Sequence, residues 1–257
     1  MRLLYRRIGK KYYNTMHTKL YHFTSFEAAT KIIASGRLLF KSGTHKNDIA
    51  EIYKLIYSNL ECITTQNALN EYQYLSFTAD NESAQGYEID ALWGHYAERG
   101  SGICIVFDKE KILQQFHTQY PTNKWEGIIA YSKYSPISQF IECAEDDDVH
   151  TIIEDNIEEI FFTKALDWKY ESEFRLLIKA DTKADPGLEY NDSLIGIILF
   201  HQGDQPINET IQFQTFSKLL GENKIYYYRY ELGDKTLYDA KGNVKYPQLG
   251  QHYELDC

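Results

Sequence analysis

Short apolar runs alternate with amphipathic stretches along most of this chain. Leu20-Tyr21-His22-Phe23-Thr24 reads as a strand. Thr24 or Ser25 can cap a helix running to Ser35, with Glu27 completing a Thr-x-x-Glu capping box. Phe26, Ala29, Ile32 and Ile33 give that helix one apolar stripe, and Gly36 is placed to end it. Leu38-Leu39-Phe40 follows as a strand, and the spacing of Ile49, Ile52, Tyr53, Ile56 and Leu60 predicts a helix after Asp48. Residues 74–78 alternate like a strand, 90–96 read as a short helix, 102–107 as a buried strand and 109–116 as a helix. Further on, the pattern predicts a strand at 127–131, a helix over 150–164, a strand through 171–178, a strand at 194–200, a helix at 208–219 and a last strand at 224–231. Strands and helices mix without strict βαβ alternation. The expectation is an α+β fold with a mixed or antiparallel central sheet and flanking helices.

The chain has 257 residues, 43% of them hydrophobic and 25% charged, enough for a sizeable core. No composition shift divides it, so a leader over 1–19 and one domain over 20–257 are expected. The net charge of −10 opposes non-specific adhesion to nucleic acid or to an anionic membrane. That charge is unevenly spread. Arg2, Arg6, Arg7, Lys10, Lys11 and Lys19 precede the first acidic residue, Glu27, whereas Glu142, Glu145, Asp146, Asp147 and Asp148 crowd together. A basic leader on an acidic protein could contact a nucleic acid locally. Cys62, Cys104, Cys143 and Cys257 form no C-x-x-C pair, and no apolar segment is long enough to span a membrane, which points to the cytoplasm.

Two clusters carry the candidate chemistry. In the first, His22 and Thr24 share a strand face just before a helix N-terminus, a suitable place for a polar ligand. In the second, Glu171, Glu173 and Arg175 would share one face of a strand while Phe174, Leu176 and Ile178 fill the other. A surface ion pair contributes only about 0–1 kcal/mol, so stability alone is a weak reason for the second arrangement; Lys164 and Trp168 belong to the same dense group. Asn47 and Asp48 would cap the helix that follows them or face a ligand from a polar loop. Trp93 and Tyr96 share a helix face, and His95 points elsewhere. Walker A, G-x-G-x-x-G, G-x-S-x-G and H-E-x-x-H motifs are all absent.

Tyr21 to Thr24, Asn47-Asp48-x-x-Glu51, the block from Leu75 to Asp108 and the segment from Lys164 to Arg175 resemble, in that order, a bacterial domain of unknown function. The first and last motifs also resemble the ADP-ribosyltransferase superfamily, particularly DarT-like enzymes that modify nucleic acid. That resemblance implies an ADP-ribosyltransferase-like fold and NAD as substrate. It makes Glu173 the catalytic glutamate, with Glu171 assisting or orienting the acceptor. His22 and Thr24 would hold a ribose or the adenosine of NAD. Tyr53, Tyr57, Trp93 and Tyr96 all compete for the middle aromatic position, beside His95. Arg175 would fix Glu171 or touch pyrophosphate. The implied setting is a toxin or anti-phage effector, acting on RNA, DNA or protein and restrained by an antitoxin or other regulatory protein. Two other readings stay open: a metal-dependent hydrolase or nuclease built on His22, Asp48, Glu51, His95, Glu171 and Glu173, and a non-catalytic nucleotide sensor.

Overall fold

In the computed structural model, which describes residues 18–42, 67–133, 149–180, 186–201, 205–231 and 234–245, most of the apolar runs become strands of one large mixed sheet. The strands are β1 (Lys19–Thr24), β2 (Arg37–Leu39), β3 (Lys41–Ser42), β4 (Tyr72–Ala79), β5 (Ile103–Asp108), β6 (Lys124–Ile128), β7 (Ala130–Ser132), β8 (Thr163–Ala165), β9 (Glu173–Lys179), β10 (Gly187–Glu189), β11 (Leu194–His201), β12 (Ile225–Glu231) and β13 (Asp234–Asp239). The α-helices include α1 (Phe26–Ser35), α2 (Asp90–Tyr96), α3 (Lys109–Gln119), α4 (Val149–Asp155), α5 (Ile157–Phe161) and α6 (Ile211–Leu220). The main sheet runs β13-β12-β11-β5-β1-β4-β9-β6, with β3 paired on β4, while β2 with β10 and β7 with β8 form two small separate sheets. Among the described residues, only β11 and β12 run parallel within it. The basic leader up to residue 17, the Asn47/Asp48 loop and its helix, Tyr53, Tyr57 and the acidic run before Val149 lie outside the described residues.

The two faces of the sheet differ, because side chains alternate along each strand. One face is a continuous apolar layer. Leu75 and Phe77 of β4, Ile103, Ile105 and Phe107 of β5, and Phe174, Leu176 and Ile178 of β9 pack there beneath α1, α3 and α6. The other face carries two separate apolar clusters. Tyr21, Phe23, Cys104, Val106 and Ile198 pack with Leu92 and Trp93 of α2. Tyr72, Tyr74 and Leu177 pack with Ile153, Ile157, Ile160 and Phe161 of α4 and α5. On that second face, the cross-strand pairs Ser76–Arg175 and Thr78–Glu173 form a polar strip.

Local signals explain most boundaries. Ser25 caps α1 by accepting from the Ala28 N–H at 3.1 Å. The expected Thr24 capping box does not form, because Glu27 turns outward to pair with Lys31 at 2.6 Å. Gly36 ends α1 in the left-handed region at φ 71°. The strand expected at 127–131 is two strands, broken at Ile129, whose N–H donates to the Glu173 carbonyl at 2.9 Å. The helix expected over 150–164 is two short ones, and Lys164 stands on β8 instead. The strand expected from Glu171 begins only at Glu173. Glu171 closes a 3₁₀ turn, Leu166–Glu171, and Ser172 breaks the path with a left-handed φ of 46°.

The start of β5 meets the end of β1 closely. A Cβ on Gly102 would stand 2.4 Å from the Thr24 carbonyl oxygen and 2.7 Å from the Ala97 backbone. Neither backbone can yield without disturbing β1 or α2. Gly102→Ala should therefore destabilise the fold by about 1–3 kcal/mol, as overpacking does, measured as a lower urea midpoint at unchanged slope; an unchanged midpoint would contradict this packing.

Candidate functional site

β1 is zipped to β5 along its whole length, from Lys19–Asp108 to Thr24–Ile103. Toward β4 it pairs only at Leu20–Ala79 and Tyr21–Thr78. Continued, that register would set His22 against Phe77 and Phe23 against Ser76. Instead the sheet splits there. The ring of His22 enters the split, and its Nδ1 donates to the Ser76 carbonyl oxygen at 3.0 Å. A carbonyl only accepts, so Nδ1 carries the proton and Nε2 keeps its lone pair. Burial, reinforced by the nearby Lys41 charge and only partly offset by the Ser76 bond, lowers the imidazole pKa to about 4. His22 is therefore neutral near pH 7.

A cavity of about 130 Å³ opens along the split. Its walls include His22, Phe23, Ser76, Tyr96, Lys164, Glu171, Glu173 and Arg175. Strand alternation puts Tyr21, Thr78 and Glu173 in one row on the second face. His22, next to Tyr21, belongs to the opposite face, where its ring lies 5.8 Å from that of Phe77. His22 and Glu173 come from opposite faces of the sheet and reach one cavity because the sheet is split between β1 and β4.

The acidic wall is a buried four-charge set. Lys164, Glu171, Glu173 and Arg175 are each at most 7% exposed. The Lys164 ammonium lies 2.7 Å from Glu171 Oε2 and 2.7 Å from Glu173 Oε2. Arg175 Nε donates to Glu173 Oε1 at 2.8 Å, and the Ser76 hydroxyl donates to the same oxygen at 2.6 Å. Arg175 is itself held by the Phe161 carbonyl through Nη1 and by stacking over Tyr74, 4.8 Å from the ring centre. Tyr96 donates its hydroxyl to Glu171 Oε1, and the Tyr131 hydroxyl accepts the Glu173 N–H at 2.9 Å. Burial by itself would raise the Glu173 pKa. Arg175 and Lys164 outweigh it and hold the carboxyl at about 2. Glu173 is a fixed, ionised carboxylate facing a cavity.

The other residues singled out from sequence sort unevenly. Tyr96 lines the cavity, on α2. Trp93 does not: it is 2% exposed, gives its indole N–H to the Tyr87 carbonyl at 2.8 Å and packs edge-on against Phe23. His95 is exposed, among the rings of Tyr96, Trp168 and Tyr170. Thr24 follows His22 onto the far face and is not part of the cavity wall. Arg175 braces Glu173 and is 1% exposed. The ammonium of Lys164 occupies the position between the two carboxylates that a bridging cation would need. Ser76, Tyr74 and Tyr131 escape the sequence reading. Ser76 leaves a faint trace, as the small polar residue after Tyr72 and Tyr74 on one face of β4.

The family model described as "Protein of unknown function (DUF2971)" matches residues 92–176, the part of the chain that runs from α2 through the Glu171/Glu173 segment into β9. No curated protein gives a significant match. Among solved structures, this chain is similar to Thermus sp. 2.9 DarT in complex with ADP-ribosylated ssDNA, at 9% identity, over 80% of this chain and 88% of that one, with a TM-score of 0.34. A likeness that weak carries no functional weight. Among the described residues no helix is long and apolar enough to cross a membrane.

The neutral His22 has a consequence for pH. Its folded pKa of about 4 lies below the ordinary 6.5. Above 6.5 the ring is neutral folded and unfolded, with no differential. As pH falls below 6.5, the unfolded chain binds a proton that the folded chain refuses, and stability drops until about 4. The drop is on the order of 3 kcal/mol. Urea unfolding of the wild type against His22→Gln between pH 7 and 4 should show that part of the slope vanish in the variant; parallel curves would contradict a neutral, shielded His22.

Proposed function

We propose that the chain transfers ADP-ribose from NAD, with the nicotinamide ribose seated in the split between β1 and β4. The observation that carries this reading is the state of Glu173: ionised, almost fully buried, and held by Arg175, Lys164 and Ser76 at the wall of a cavity. Breaking a ribosyl–nicotinamide bond passes through an oxocarbenium-like state. A preorganised carboxylate near the sugar stabilises the developing positive charge, and the effect grows in a site shielded from water. This chemistry needs one fixed carboxylate, a place for the leaving ring and no metal.

The remaining walls suit the same substrate. Tyr74, Phe77 and Tyr96 offer aromatic surface to a planar leaving group. Neutral His22 offers the lone pair of Nε2 to a ribose hydroxyl. By the alternation of ladder bonds, the Ala79 N–H, bonded to the Ser172 carbonyl, faces β9, so the main-chain groups of Ser76 and Thr78 face β1. Beyond the last pair, Tyr21–Thr78, the split presents main-chain groups that can recognise a carboxamide. Glu171 is tied to Tyr96 on the same wall, and in this reading it orients the acceptor. In this reading the acceptor is a nucleic acid or a protein nucleophile, and the basic residues ahead of β1 are its first contact with a nucleic acid.

Incubation with NAD labelled in the adenylate moiety, together with candidate nucleic-acid and protein acceptors, tests the reading. Wild type should release nicotinamide and transfer label. Glu173→Gln, similar in size and still able to hold the Ser76 and Arg175 side, should lose at least about 100-fold in rate, the scale of one preorganised electrostatic group, with an unchanged near-UV spectrum. Undiminished transfer by that folded variant would overturn the assignment of Glu173.

A further inference from the structure

Lys164 stands out within this site. It belongs to neither glutamate alone: one nitrogen touches one oxygen of each carboxylate, both at 2.7 Å. Those two oxygens therefore lie no farther apart than twice that distance. Lys164 reaches them from β8, a short strand outside the main sheet that pairs in parallel with β7. Trp168, one turn beyond, covers the ammonium with its ring at 5.5 Å. The carboxylates themselves come from different elements, Glu171 from the 3₁₀ turn and Glu173 from β9, with left-handed Ser172 between them. Nothing in the backbone obliges two buried like charges to face each other. The ammonium is the group they share.

We propose that Lys164 is a positioning residue: its charge draws Glu171 and Glu173 together and keeps the pair free of a shared proton, so that Glu173 presents a full negative charge to the cavity. Arg175 engages Glu173 through the opposite oxygen, Oε1, and is anchored on Phe161. The other described groups facing the pair are neutral or distant. Tyr96 from α2 donates to Glu171, Tyr131 from β7 accepts from the Glu173 main chain, and Ser76 from β4 donates to Glu173. Tyr170 lies close enough to feel both Glu171 and Lys164. None of these supplies a positive charge between the carboxylates. Without Lys164, two carboxylates would stand together in a buried site with one guanidinium. Such pairs hold one proton between them well into the neutral range. Arg175 stays with Glu173, so the proton taken from water goes to the Glu171 side and bridges toward Glu173.

The inference rests on the NAD reading only for its catalytic consequence; the protonation claim stands by itself. The 257-residue chain with ¹³C-labelled glutamate side chains is titrated by NMR from pH 8 to 4. In wild type the Glu173 carboxyl should stay ionised across that range. Lys164→Met, which keeps the apolar stem, should shift one glutamate carboxyl signal about 2 units upward relative to its own midpoint in wild type, while Lys164→Arg should match wild type. In parallel, NAD cleavage by Lys164→Met should lose its pH-independent plateau and recover only as pH rises through the new midpoint. A folded Lys164→Met whose carboxyls titrate as in wild type would overturn the proposal. If Lys164→Met does not fold, the double variant Lys164→Met/Glu171→Gln decides, since removing one like charge removes the need for the ammonium. It should fold with Glu173 ionised, and failure to recover would also overturn the proposal. Absence of NAD cleavage in wild type would count against the NAD reading alone; the carboxyl titration would still decide the role of Lys164.

Discussion

An ionised carboxylate in a protein interior is tolerable only when countercharges and hydrogen bonds replace the water it has lost. Glu173 meets that condition three times over, with Arg175, Lys164 and Ser76. The rest of the second sheet face follows from it. The apolar packing on that face divides into one cluster under α2 and another under α4 and α5, with the charged strip as part of the same surface. Even the elements added to the sheet serve this group. β8 brings Lys164, β7 brings the Tyr131 hydroxyl, and α5 supplies the Phe161 carbonyl that anchors Arg175.

The second constraint is the early end of the β1–β4 ladder. Two strands that paired fully would leave no cavity, and His22 would point away from Glu173 on the far face. Stopping the ladder after two pairs lets the His22 ring turn into the gap and takes one main-chain acceptor, Ser76 O, in place of a ladder bond. Ser76 thereby holds both walls: its carbonyl fixes His22 and its hydroxyl fixes Glu173. One residue on β4 couples a neutral base to an ionised acid across the split.

Much of this is legible in the sequence, for physical reasons that also mark the limits. Alternation correctly assigns Phe174, Leu176 and Ile178 to the apolar layer, because a two-residue period has only two faces to choose from. The same alternation misplaces Glu171, since it assumes extended backbone through Ser172, and a left-handed serine carries no strong sequence signal. The two carboxylates still converge, through Lys164 and not through a shared strand face. Lys164 groups with them in sequence, but helical periodicity puts it at the end of a helix, and the break into α4, α5 and β8 hides its role. Trp93 and His95 look like site residues because they neighbour Tyr96 in sequence. On the short helix α2 neighbours diverge, so Trp93 enters the core, His95 meets solvent and Tyr96 meets the cavity. Alternation ties Thr24 to His22, correctly, yet the split that redirects His22 leaves Thr24 on the far face. Asn47 and Asp48 lie outside the described residues.

In the proposed function the split binds NAD and Glu173 acts on it there. Calorimetric titration of the wild-type chain with NAD, followed by chromatography of the same mixture for free nicotinamide, addresses both halves together. Saturable binding accompanied by nicotinamide release is the expected result. Absence of binding would contradict it outright, and binding that leaves NAD intact would make the cavity a sensor for the nucleotide in place of a site that cleaves it.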